Sequence, residues 1–512
     1  MIIKTHIQKL LFLAFGLLIF TSSCKKEPKI TPDVEVGPPS TGTRAELTKD
    51  SIYLYAQQTY YWNEPFPSYD VFKPRQYATN QAVLDAIIKL PGTGKPVDIN
   101  GKPFDKYSFL DDGSVASQLG GVSGDFGFSV FYNGARPSSD LRIKYVSPNS
   151  PAASKGLKRG YRITKINGRT ELSTAVDANV SFVGDAVFGS SASVTMTVEK
   201  PGGATEEMTI ARGSYASTPI FFTQIYPVGS KKVGYIVYNS FTTNSKDALT
   251  AKFAEFTAAG VTELVIDLRY NGGGSVATAD VFTNLIAPAS LNGTTMYTTF
   301  WTKTMQDGKA TILRNQPLTD ESGKLRPFTG GANGVYATYA DIDYKPAANI
   351  ETFKKIGGAN ISKVVFLVLS GTASASELLI NNLKPHMDVK LVGSKTYGKP
   401  VGFFAISIDK FDLYIPQFET KNSRNEGGYF DGMAVDFSSS DDVSKDFGDP
   451  SEKLLAAALS YSEKGTFTIS KPNTTISSTK AMSVSEAEHL TEEIDKNRFK
   501  GMVDDKFKLK NK

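Results

Sequence analysis

A serine at the end of an apolar run and a lysine 25 positions later are the residues of this chain best suited to chemistry. The serine is Ser374, in Gly371-Thr372-Ala373-Ser374-Ala375-Ser376-Glu377; the lysine is Lys399, after Gly398. Upstream, residues 363–369 are β-branched and almost wholly apolar, which predicts a buried strand. Downstream, residues 377–384 carry good helix formers with apolar residues at helical spacing, stopped by Pro385. Ser374 therefore falls on a strand-to-helix turn, where a nucleophile projects beside the N–H groups of a helix start. Such a serine needs a base to take its proton. The chain has three histidines: His6 in a segment expected to be removed, His489 in a polar tail and His386 at the far end of the predicted helix. A Ser–His–Asp triad is poorly supplied. Lysine serves if it is neutral, which means lowering a pKa of ~10.4 by roughly 2–3 units, at about 3–4 kcal/mol. Spacing alone fits equally an ordinary turn serine and a solvated lysine.

The elements that position such a pair need a large chain, and 512 residues allow two or three domains. A formal charge of +5 and no basic stripe argue against nucleic-acid binding. Lys4 and Lys9 flank a short n-region, and residues 10–20 are an apolar core too short for a membrane span. Thr21-Ser22-Ser23-Cys24 then resembles the lipobox of bacterial lipoproteins, although Thr21 stands where an aliphatic residue is usual. Residues 1–23 read as a lipoprotein signal peptide and Cys24 as the lipidated residue. Cys24 is the single cysteine, so the body holds neither a disulfide nor a thiolate metal cluster nor a cysteine nucleophile. Residues 24–44, with Pro28, Pro32, Pro38 and Pro39, read as a flexible tether.

Residues 45–118 are expected to form a small helical N-terminal domain, from helical patterns over 45–62 and 81–90. Residues 119–213 start with Phe126-Gly127-Phe128, where glycine lets successive N–H groups converge on a carboxylate. Ser150-Pro151-Ala152-Ala153 opens a short helix ended by Gly156 and Gly160. An alternating strand to Ile166-Asn167-Gly168 follows. Residues 214–465 alternate strands (232–238, 263–268, 363–369) with helices (246–259, 276–285, 377–384), which argues for an α/β layered fold with a partly parallel sheet. Sites in such sheets gather beyond the carboxyl ends of strands, where both Asn271-Gly272-Gly273-Gly274 and Ser374 lie. The triple glycine lacks the Gly-Lys-Ser/Thr of a phosphate loop and reads better as an oxyanion hole. A helix opens near Pro450, and residues 466–512 read as a polar mobile tail with one short helix at 484–496.

Two resemblances follow from these residues. The Ser-Pro-Ala-Ala…Gly-Leu…Gly…Ile-Asn-Gly pattern resembles a PDZ domain, with Tyr161 where aspartate is common. This implies capture of a free C-terminal carboxylate by Phe126, Gly127 and Phe128, the peptide adding as an edge strand. Asp267-Leu268-Arg269-Tyr270-Asn271-Gly272-Gly273-Gly274, Thr372-Ala373-Ser374-Ala375-Ser376-Glu377 and 392–399 resemble the C-terminal processing (tail-specific) serine peptidases. The likeness covers roughly residues 46–465. It implies an α/β peptidase core preceded by a PDZ domain and a helical N-terminal domain. It makes Ser374 the nucleophile, Lys399 the general base, and the N–H groups of Ala375 and Gly273 the oxyanion donors. Two departures stand out: Phe403 replaces the glutamine that orients the lysine in many members, and Pro400 replaces a frequent glycine. The third partner comes from elsewhere in the chain, or packing alone holds Lys399. The implied protein is a lipid-anchored serine endopeptidase of the bacterial cell envelope, on the outer membrane by the lack of aspartate after Cys24. Its partners are protein or peptide C-termini and a lipid bilayer; no cofactor, metal or nucleic acid is implied. The rivals are a catalytically weak PDZ scaffold, favoured by Phe403, and an esterase, disfavoured by the lack of a Gly-x-Ser-x-Gly elbow.

Overall fold

The apolar runs become strands because both of their faces are covered. The computed structural model describes residues 38–134, 136–320, 323–467, 494, 499–504 and 506–510. The expected signal peptide, Cys24, the tether up to residue 37 and, apart from Ile494, the expected 484–496 helix lie outside them. No helix among the described residues is long and apolar enough to cross a membrane.

Helices α1 (Arg44–Thr59) and α2 (Asn80–Ile88) lie near the start of the described residues. Thr43 opens α1 in a capping box with Glu46, and Thr79 caps α2 by accepting from Ala82 N. Their Ile52, Tyr53, Ala56, Val83, Leu84 and Ile87 join the same continuous core as the central sheet. A five-stranded antiparallel sheet follows in sequential order: β1 (Phe128–Tyr132), β2 (Leu141–Val146), β3 (Arg162–Ile166), β4 (Ser193–Glu199) and β5 (Thr205–Ala211). With α3 (Asp177–Phe188) it encloses a separate core of Val130, Ile143, Val183 and Met196. Strand β1 is an edge of that sheet.

The central sheet holds β6 (Ile220–Val228), β7 (Lys231–Tyr238), β8 (Glu263–Asp267), β10 (Lys363–Val368), β11 (Asp388–Gly393) and β12 (Phe437–Ser438), while β9 (Gly273–Ser275) lies outside it. Its order is β12-β11-β10-β8-β7-β6, parallel throughout except for the antiparallel β6–β7 pair. Helices α4 (Ser245–Ala258), α5 (Val276–Ile286) and α6 (Ala375–Leu383) cover one face, against Ile236, Leu264, Ile266, Val364 and Phe366. Helix α7 (Lys453–Lys464) covers the other, against Tyr235, Val265, Val365 and Leu367. A sheet covered on both faces needs apolar residues at successive positions, which is why these strands read as runs rather than alternations.

The end of the chain departs from the expectation of a mobile polar tail. Gly501–Val503 forms a strand, β13, parallel to β9, with Met502 fully buried. Its apolar residues are too few, among charged neighbours, to register as a strand, and its partner lies more than 200 positions earlier in the chain.

Candidate active site

Strands β8 and β10 are parallel neighbours, so the loops leaving their carboxyl ends meet. Thr372 Oγ1 donates to Leu268 O (2.7 Å), Ala373 N to Asn271 O (3.1 Å) and Ser376 Oγ to the same oxygen (3.1 Å). Ser374 occupies the last position before α6 at φ 63°, ψ −110°, a conformation that costs of order 1–3 kcal/mol for a residue with a Cβ. The ties between the two loops hold it there. Its hydroxyl is buried and has no hydrogen-bond partner among the described residues.

Glu377 joins the serine to the lysine. Fully buried, its Oε2 accepts from Ser374 N (2.8 Å) and from Lys399 N (2.8 Å). Its Oε1 accepts from Gly398 N (2.8 Å) and Thr396 Oγ1 (2.5 Å). Burial pushes the Glu377 pKa up, and these four donors restrain the rise. One carboxylate oxygen thus fixes the backbones of both residues. The Ser-x-x-Glu spacing at 374–377 is a capping-box pattern visible in sequence; its reach to the Lys399 loop is not.

Lys399 is fully buried. Burial drives its pKa well below the ordinary 10.5, and the Asp105 and Glu377 carboxylates offset only part of that. The Nζ lies 3.8 Å from the Phe403 ring centroid and 5.6 Å from that of Tyr107, whose hydroxyl donates to Gly398 O (2.7 Å). An aromatic face favours the ammonium by about 2 kcal/mol when desolvated. Removing an unpaired charge from water costs more than that, so burial outweighs the rings and favours the neutral amine. The Nζ donates to Lys500 O at 2.7 Å rather than to Ser374. His386 lies away from this site: its Nε2 pairs with Ser423 Oγ (2.8 Å), and its ring meets Phe353.

The structure brings Gly273 and Ala375 together. A Cβ on Gly273 would sit 3.0 Å from Ala375 N, and the φ of 108° favours glycine. The Gly273 N–H donates to Asn271 Oδ1 (2.8 Å).

Phe126, Gly127 and Phe128 lie at the other end of a groove of about 280 Å³ that runs to Gly272, Gly273 and Phe499, with Val187, Phe188 and Arg212 in its walls. Gly127 has φ 81°, and a Cβ there would meet Ser150 Cβ at 1.9 Å. The Arg212 guanidinium stacks on Phe126 at 4.6 Å.

A buried charge network that no local sequence signal indicates supports the glycine loop. Arg269 binds Asp267, Asp441 and Glu452, and Arg159 from the five-stranded unit binds Asp441 Oδ1 and Tyr270 OH (2.7 Å each). Burial pushes Asp441 up, but the two guanidiniums outweigh it and hold the carboxyl well below its usual range.

Known proteins resemble this chain in sequence and in fold. Residues 232–429 match the model of peptidase family S41. The chain is 25% identical over 307 residues to the chloroplastic C-terminal processing peptidase of Tetradesmus obliquus, covering 57% of this chain and 55% of that protein. It is 23% identical over 404 residues to a CtpA-like serine protease of Staphylococcus aureus, covering 78% of this chain and 66% of that one. Residues 232–429 thus carry a peptidase family S41 domain, and the chain is similar to C-terminal processing peptidases. Its fold is also that of a crystal structure named as an S41 protease of Bacteroides fragilis, with TM-score 0.52 and 22% identity over 81% of this chain and 97% of the other. The match spans about half to two thirds of the length of the curated relatives. The S41 match encloses Ser374, Glu377, Lys399 and the glycine loop, and excludes Phe126, Tyr107 and Lys500.

Proposed function

We propose that this protein is a serine endopeptidase that attacks peptide bonds with Ser374 and uses Lys399 as general base. The observation that carries the reading is the Glu377 carboxylate, which holds the backbone N–H groups of both residues beside a lysine whose pKa burial drives well below the ordinary value. In acylation, Ser374 Oγ bonds to the scissile carbonyl carbon while its proton passes to Nζ. The lysine then protonates the leaving amine, and later takes a proton from the water that releases the acyl group. The Ala375 and Gly273 N–H groups receive the oxyanion, and Gly273 exchanges its Asn271 acceptor to do so. Each such donor is worth about 3 kcal/mol in the transition state.

Residues 119–213 act as a PDZ domain. Strand β1 is a free sheet edge facing α3, the groove between them begins at Phe126–Gly127–Phe128, and Arg212 adds positive charge suited to a terminal carboxylate. The groove leads toward Gly273, so a captured C-terminus is presented to the catalytic loops. The N-terminal helices form the third part of the architecture, and Cys24 anchors the protein by lipid in the bacterial cell envelope, on the outer membrane.

Incubating the full chain with casein, alongside Ser374→Ala and Lys399→Ala, tests the reading. Cleavage by the parent and none by either variant is the expected result. Peptide binding with no cleavage by any of the three would replace the enzyme with a PDZ scaffold.

A further inference from the structure

The lysine has a partner from the far end of the chain. Lys399 Nζ donates to the main-chain carbonyl of Lys500 at 2.7 Å, immediately before β13. That strand is built into the site on both sides. Gly501 N donates to Gly272 O (3.0 Å); on the other side Phe403 N donates to Met502 O and Asp504 N to Phe403 O, both at 3.0 Å. The flanking glycines are shaped to it. A Cβ on Gly272 would lie 2.2 Å from Phe499 O, one on Gly273 2.3 Å from Gly501 O, and one on Gly402 2.7 Å from Met502 O. Beyond the strand the chain is clipped down. Lys506 pairs with Asp280, Asp343 N donates to Lys508 O (2.9 Å) and Lys510 N to Asp341 O (2.9 Å).

We propose that this C-terminal strand completes the catalytic site, with the Lys500 carbonyl orienting Lys399 and the strand keeping water from it. The proposal rests on the Ser–Lys reading above. A neutral amine has two hydrogens and one lone pair. Donating one hydrogen to Lys500 O fixes rotation about the Cε–Nζ bond and leaves the lone pair for the Ser374 proton. When that proton arrives, the ammonium still donates to the same carbonyl, so the partner serves both protonation states. Phe403 has no side-chain oxygen to accept a hydrogen bond from the amine. Its main chain instead holds the strand that does, and its ring closes the other side of the amine. Lys500 is a positioning residue through its backbone, which is why no side-chain motif marks it.

The test compares the full chain with Gly501→Pro, which deletes the N–H bonded to Gly272 O, and with a chain ending at Arg498, alone and with a synthetic peptide of residues 499–512. Circular dichroism and melting check folding, and Gly501→Pro, which keeps the 506–510 clip, decides if the shortened chain does not fold. The readout is kcat/KM on labelled casein against pH. Both variants are expected to lose at least about 10-fold at pH 7, with the acid limb moved up by about one unit or more as Lys399 meets water. The added peptide is expected to restore rate and limb. An unchanged rate and limb would overturn the proposal. So would faster turnover that the peptide suppresses, which would make the strand a plug. A parent that Lys399→Ala leaves at full rate would sink the Ser–Lys reading and this proposal with it; a Lys399-dependent parent insensitive to the strand sinks this proposal alone.

Discussion

Two lysines near the C-terminal segment show how much the partner of a buried amine decides. Lys399 is enclosed by the Phe403 ring, Tyr107 and a neutral carbonyl, and burial drives its pKa well below the ordinary value. Burial also acts to lower Lys506, but Tyr297 and the Asp280, Asp504 and Glu351 carboxylates outweigh it, and that pKa rises well above the ordinary value. Desolvation therefore makes a base only where no carboxylate takes the ammonium as its counter-ion. Lys399 is suited to proton transfer and Lys506 to tying the end of the chain to Asp280 and Glu351.

Giving Lys399 the kind of partner that Lys506 has should break the contrast. Phe403→Glu places a carboxylate where the ring now lies. The expected result is a loss of about 100-fold in kcat/KM on casein at pH 7, with the acid limb displaced upward by about two units. A pH profile of the folded variant checks this. Loosening the frame without changing the lysine's surroundings sharpens the contrast. Glu377→Gln puts an amide N–H₂ against donors that now share a carboxylate, and activity should fall about 10-fold or more, with Ser374 and Lys399 still in place by crystallography.

Stability reads the same difference with opposite sign. Burial holds the folded pKa of Lys399 well below its unfolded value, so between the two values the unfolded state binds more protons. The lysine's burial is therefore costly at neutral pH, and the cost falls as pH rises from its depressed folded value toward 10.5. Lys399→Met should raise stability by about 1 kcal/mol or more at pH 7 and by less near pH 10, measured by thermal melts across that range. Asp280→Asn removes one carboxylate from Lys506 and leaves Glu351. It should lower stability by about 1 kcal/mol while casein cleavage changes less than about three-fold.

The site was legible in sequence where it is local. Residues 363–369 and 377–384 bracket Ser374 by pattern alone, and the structure places β10 and α6 there. Lys399 was reachable by spacing and the absence of a usable histidine. Glu377 lies within the Thr372–Glu377 motif, but its bonds to Gly398 and Lys399 form only when β10 and β11 pair and bring the 394–399 loop back over α6. Arg159 and Asp441 carried no signal, because a buried ion network depends on which surfaces meet and not on neighbours in sequence. The C-terminal strand was the largest omission. Phe499, Met502 and Val503 are three apolar residues among lysines and aspartates, and the strand they flank or form pairs with Gly273–Ser275 on one side and meets Phe403 on the other. The sequence read those glycines as room for an oxyanion; the fold shows that two of them also make room for the strand.

The pH dependence with which a fluorophosphonate labels the full chain, followed by intact mass and peptide mapping, tests the Ser374–Lys399 pair itself. A single adduct on Ser374 is expected, formed at a rate that rises through a midpoint well below 10.5 and is lost in Lys399→Ala. Labelling that is absent, that proceeds equally without Lys399, or that rises only near 10.5 would contradict it.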